Sequence, residues 1–121
     1  MKSFEVTIEP FRIKLLVHYA PTIDDAIQHH NKNYEPVISP ETRYTKALLN
    51  IEQTETGPAF CLLLSEESYT DAILVHECLH VIHETADYVG LTLTDSSQEY
   101  YAYAIERLFG IIKKKLKIKQ K

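Results

Sequence analysis

The chain has 121 residues, 45% of them apolar and 25% charged, enough for one hydrophobic core and too few for two. The formal net charge of −4 divides unevenly: Lys113, Lys114, Lys115, Lys117, Lys119 and Lys121 fall in the last nine positions, and the remainder carries 7 basic against 17 acidic side chains. An acidic body argues against a nucleic-acid-binding surface there, no apolar run approaches the roughly 20 residues that span a bilayer, and the charged, alternating start of the chain is no secretory signal, so a cytoplasmic location is expected.

Residues 4–8 alternate as Phe-Glu-Val-Thr-Ile, the period of a half-buried strand. Glu9-Pro10 breaks the pattern, and residues 11–17 predict a second strand or a continuation after a kink. Thr22 can cap a helix with Asp25 three residues on and an apolar stripe at Ile23, Ala26 and Ile27, ending near Asn33. Residues 34–42 contain Pro36 and Pro40 without periodicity and are expected to form a surface loop. Residues 46–52 and 59–64 predict a hairpin joined through Thr54-Glu55-Thr56-Gly57-Pro58. Ser68 is the expected cap of a helix over 69–89 that stops at Gly90. Its apolar residues cover most of the circumference, the mark of a central, buried helix. A last helix starts near Ser96 and runs into the lysine-rich end, which gives a single domain over 1–112 and a basic tail over 113–121. Strands first and paired helices last predict an α+β domain, with a small antiparallel or mixed sheet packed on the central helix and an antiparallel C-terminal helix. Cys61 and Cys78 are too few for a disulfide framework and are expected as reduced core thiols.

The central helix carries His76-Glu77-Cys78-Leu79-His80. Four residues advance a helix by about 6 Å and leave side chains about 40° apart, so two imidazoles can meet one ion at about 2.0–2.1 Å. Glu77 points beside the same face, where its carboxylate can take a proton from a water that the ion acidifies. The pair explains metal binding and the intervening Glu explains hydrolysis. The alternative is two satisfied core histidines.

Catalytic zinc needs a third protein ligand. His83 shares the helix face but lies about 10 Å along the axis from His76, and Asp87 is further still. Another zinc-peptidase pattern needs Gly at the third residue and a ligand at the sixth residue past the second His; here these are His83 and Ala86. Glu99, 19 residues after His80 in the first turn of the next helix, is the best candidate, since a tight loop at Gly90 would fold that helix back along the histidines. Its competing role is in a capping box, Ser96-Ser97-Gln98-Glu99.

The motif at 76–80, followed by Ser97-Gln98-Glu99-Tyr100-Tyr101-Ala102-Tyr103-Ala104, resembles the gluzincin class of HExxH zinc metallopeptidases, above all its smallest members: the minimal gluzincins, the ImmA/IrrE-like peptidases and small phage-encoded proteins with the same motif. The likeness covers about 70–108. It implies a zincin-like fold, Zn2+ on His76, His80 and Glu99, Glu77 as general base and acid, and a peptide or protein substrate aligned by a strand edge before the motif helix, with 59–64 as that strand. Larger members often carry Asp four residues after the ligand Glu. Tyr103 stands there, either to hydrogen-bond at the site or to pack between helices.

His83 is read as a group beside the site or as an exposed helix residue, and His29 and His30 as solvated. Cys78 faces away from the histidines and has no base placed to activate it. The lysine tail has three readings: a solvated helix end, contact with nucleic acid or an anionic surface, or partner docking through Ile111, Ile112, Leu116 and Ile118. The expected function is therefore zinc-dependent peptide-bond hydrolysis, with a non-catalytic, zinc-stabilised binding or accessory protein as the alternative.

Overall fold

The computed structural model describes residues 1–39 and 45–117. Four strands, β1 (Lys2–Ile8), β2 (Ile13–Ala20), β3 (Ala47–Thr54) and β4 (Gly57–Ser65), form one mixed sheet in the order β1-β2-β4-β3. β1 and β2 pair antiparallel, β3 and β4 pair antiparallel, and β2 runs parallel to β4 with Val17 opposite Leu62. The helices are α1 (Ile23–Asn33), α2 (Asp71–Tyr88) and α3 (Gln98–Leu116). The α+β class and the antiparallel hairpin of strands agree with the sequence.

Side-chain alternation decides which layer each residue joins. On β2 and β4, Leu15, Val17, Phe60, Leu62 and Leu64 face α2 and α3, with Leu74, Cys78, Val81, Ile82, Leu108 and Ile112 opposite them. Leu16, Ala20, Cys61 and Leu63 face the other way, onto Ile23, Ala26 and Ile27 of α1. The sheet is thus covered on both faces. That coverage explains why 59–64 is a nearly continuous apolar run: β4 is an interior strand. The expectation that 59–64 forms the edge before the motif helix is therefore corrected. β1 and β3 are the edges, and the last three residues of β3, Glu52, Gln53 and Thr54, are exposed.

α1 begins where expected, with Thr22 Oγ1 accepting from the Asp25 N–H at 3.0 Å. For α2 the cap is Thr70 and not Ser68: Thr70 Oγ1 accepts from the Ile73 N–H at 3.1 Å. Ser68 instead shares its hydroxyl with Ser65 at 2.6 Å and donates to the Lys46 carbonyl. α2 ends at Gly90, whose φ of +79° is the left-handed conformation that glycine adopts without a Cβ penalty. The Leu91 N–H reaches the Ala86 carbonyl at 2.8 Å and the Gly90 N–H reaches Asp87 at 3.1 Å, the paired bonds of a Schellman end.

α3 returns antiparallel to α2. Lys113, near its end, donates to Asp71 at the start of α2 at 2.7 Å, and Tyr101, near its start, donates to the Leu91 carbonyl at 3.1 Å. The helix continues through the first three lysines of the basic segment to Leu116, and Ile112 and Leu116 are buried. Lys2 donates from Nζ to the Leu116 carbonyl. Residues 118–121 of the expected tail lie outside the described residues, as do 40–42 of the expected loop. The described part of that loop is not all surface. Ile38 is buried under α1, and Asn31 clamps its backbone, donating to the Ile38 carbonyl at 2.9 Å and accepting from its N–H at 2.7 Å.

Candidate metal centre

The hydrophobic stripe of α2 fixes the orientation of the motif. Leu74, Cys78, Val81, Ile82 and Thr85 point into the core. His76 and His80 therefore turn outward, one helical turn apart and exposed, and Glu77 lies at the boundary, 8% exposed. The two imidazoles meet edge-on with centroids 4.7 Å apart. Their Nε2 atoms are 3.1 Å apart, and a Glu77 carboxylate oxygen stands 3.9 Å from the His76 Nε2. His76, Glu77 and His80 together present three donor atoms within 4.8 Å of one another.

This donor set fits a borderline-soft divalent ion. An ion at about 2.0–2.1 Å from each of two nitrogens holds them about 3–3.5 Å apart, and the pair already stands at that distance. Both rings are accessible, so an ion can enter without opening the core. Beside the pair, Lys46 and Ala47 at the start of β3 face Ala72, Ile73, His76 and Glu77 across a shallow groove. The motif therefore borders β3, one of the two edge strands of the sheet.

Other candidates are placed as follows. Glu99 is in the first turn of α3 and exposed, and it is not among the side chains gathered at His76 and His80. The expected capping box around it is not formed: Ser97 is the cap position but makes no side-chain cap bond, and its hydroxyl turns back to the loop, donating to the Thr92 carbonyl and accepting from the Thr94 N–H. His83 and Asp87 are exposed further along α2. Tyr103 is 67% exposed, so it does not pack between the helices. Cys78 is fully buried, and desolvation first, then the nearby Glu77 carboxylate, pushes its thiol up to about 12. It stays protonated and is no nucleophile.

One group departs from the sequence expectation. His30, expected to be solvated, is buried, and its ring bonds to His18, also buried, at 3.0 Å. Cys61 lies beside them, its Sγ 3.6 Å from His30 Nδ1. Two signals pointed to this group. Ile23, Ala26, Ile27 and His30 share one helical stripe, and His18 and Cys61 fall on the strand faces that carry Leu16, Ala20 and Leu63. His29 is only partly exposed and stands edge-on to the His18 ring, 5.4 Å between centroids.

In comparisons with protein-family models, with curated proteins and with solved structures, nothing matches this chain.

Proposed function

We propose that the chain is a zinc-dependent metallopeptidase of the minimal gluzincin type, in which His76 and His80 hold the ion, Glu77 moves the proton and the free edge of β3 aligns the peptide. The observation that carries this reading is the 3.1 Å approach of two Nε2 atoms with a carboxylate 3.9 Å from one of them. A mixed sheet with its edge strand beside the motif helix, backed by a second antiparallel helix, supports a zincin-like arrangement.

When bound, zinc supplies Lewis acidity at the carbonyl to be attacked. The chain's own groups do the rest. Glu77 accepts a proton from the attacking water at a carboxylate oxygen and returns it to the departing amine nitrogen. Its position at the boundary of the core limits competition from bulk water. β3 pairs only with β4 among the described residues, so the backbone groups on its other side can pair with an extended peptide. The groove lined by Ala47, Ile73 and His76 then lies beside that peptide. Glu99 is proposed as the third ligand on the resemblance alone, since its carboxylate stands outside the cluster. Retained zinc affinity in Glu99→Ala would remove it from the set.

The test is hydrolysis of a quenched fluorescent peptide library by the zinc-loaded chain, wild type beside Glu77→Gln. Cleavage by the wild type, reduced roughly 10²–10⁴-fold in Glu77→Gln with zinc retained, is the expected result. Equal cleavage by both forms would remove the proposed base. The alternative, a non-catalytic zinc-stabilised accessory protein, is favoured by one observation, the gathering of only two imidazoles without Glu99. It predicts zinc binding with no cleavage by either form.

A further inference from the structure

The cluster on the opposite face of the sheet does not belong to the motif helix. His18 comes from β2, His30 from α1 and Cys61 from β4. Their relative exposures are 0%, 1% and 5%. Each of the three offers one donor atom within 4.8 Å of the others; His18 Nε2 and His30 Nδ1 are 3.0 Å apart, and Cys61 Sγ is 3.6 Å from His30 Nδ1.

Hydrogen bonding fixes which atoms are available. His30 Nε2 lies 2.8 Å from the Pro36 carbonyl, which can only accept, so this nitrogen carries the proton. In the neutral ring Nδ1 is then a bare acceptor. His18 Nε2–H donates to it, which leaves His18 Nδ1 to accept from the Ser3 hydroxyl at 2.7 Å. Each imidazole thus turns one nitrogen to the cluster and is held by a protein oxygen at the other. That is the outer support found around metal-binding histidines. Tyr34 closes the site, stacked on His30 at 14° with centroids 5.5 Å apart. Beside it, His30 and Cys61 line a groove that runs past Pro36, Asn50 and Pro58, giving a path of entry.

We propose that His18, His30 and Cys61 form a second, buried metal site that takes a single cuprous ion in three-coordinate geometry, bound by two imidazole nitrogens and one sulfur. Two neutral imidazoles and one thiolate carry a charge of −1. A monovalent ion makes the buried assembly neutral, whereas zinc would leave one positive charge where no Asp or Glu joins the cluster among the described residues. Thiolate and imidazole are also a soft enough set for Cu(I). Metal–ligand bonds of about 2.0 Å to nitrogen and about 2.3 Å to sulfur separate the donors by about 3.3–3.7 Å, so the nitrogens need to part by only a few tenths of an ångström. Binding moves the His18 proton from Nε2 to Nδ1, where the Ser3 oxygen accepts it. Burial pushes the Cys61 thiol of the ion-free chain up to about 12, so it is bonding to the ion that drives its proton to solvent; one proton is released per ion and no oxidation is involved.

The site is tested in a His76→Ala/His80→Ala chain, so that its outcome is independent of the motif on α2. The protein is loaded anaerobically with Cu(I) and challenged with a chromogenic Cu(I) chelator. The expected result is one retained equivalent with a thiolate-to-copper absorption band. Cys61→Ser and His30→Gln should each weaken retention at least 10-fold, while Cys78→Ser leaves it unchanged. Circular dichroism of each variant establishes that it is folded. Folded protein that retains no Cu(I), or retention unchanged by Cys61→Ser, would overturn the site and leave a closed hydrogen-bonded chain from Ser3 to Pro36. Zinc held more tightly than Cu(I) in parallel titrations would overturn the charge argument that selects the ion.

Discussion

Glu77 and the two histidines around it differ in what the chain does with them. The imidazoles stand in solvent, where a ligand reaches them, and the carboxylate lies at the core boundary, where its position is fixed by α2. Replacing Glu77 by Gln keeps the volume and removes the proposed proton acceptor, so the proposed function predicts a loss in turnover and not in metal content. His18 is a second residue with a clear consequence. Burial first, then its neighbours His30 and His29, lower its pKa from 6.5 to about 4. The folded state keeps this ring neutral and the unfolded state does not, so unfolding takes up a proton between these two values. Its stabilising effect is complete above about pH 6.5 and is lost as pH falls through about 4. Urea midpoints of chelator-treated protein should therefore fall from pH 6.5 to 4 in wild type and less steeply in His18→Gln; identical profiles would contradict the assignment. The spacing of His76 and His80 was legible in the sequence because one helix determines it. The contact of His18, His30 and Cys61 was not, because it joins three elements whose pairing no local pattern specifies.

Helix α2 depends on its ends. Thr70 supplies the only side-chain cap to its first turn that the described residues show. Thr70→Ala should cost about 0.5–2 kcal/mol, measured by chemical denaturation, whereas Ser68→Ala should leave the helix start intact; the reverse order would return the cap to Ser68. Helix α1, its cap and the Gly90 stop of α2 were readable because each is written within a few residues. The misplacement of the α2 cap by two positions has a physical cause: Ser65, Ser68 and Thr70 all offer a hydroxyl near the strand-to-helix turn, and tertiary contacts with Lys46 select among them. Strand roles were harder. The run at 59–64 is apolar on both faces, a pattern of interior strands, yet only the parallel pairing of β2 with β4 across α1 makes it interior.

For the whole molecule, two cores share the sheet, and the larger of them, under α2 and α3, fixes the motif helix against β3. Leu62 is fully buried at the centre of β4, and Leu62→Ala should cost about 2–5 kcal/mol. A smaller loss by denaturant titration would mean that the helices do not press on the sheet as described. None of the described helices is long and apolar enough to cross a membrane. The first three lysines of the basic segment belong to α3, where Lys113 ties α3 back to Asp71. The proposed function requires His76 and His80 to share one ion. Zinc content after dialysis against a weak chelator decides whether they do, in a Cys61→Ser chain that lacks the sulfur of the buried cluster. About one equivalent should be held, and either His76→Ala or His80→Ala should release it. A chain that holds no zinc, or single variants that hold as much as their parent, would show that the two imidazoles do not share an ion.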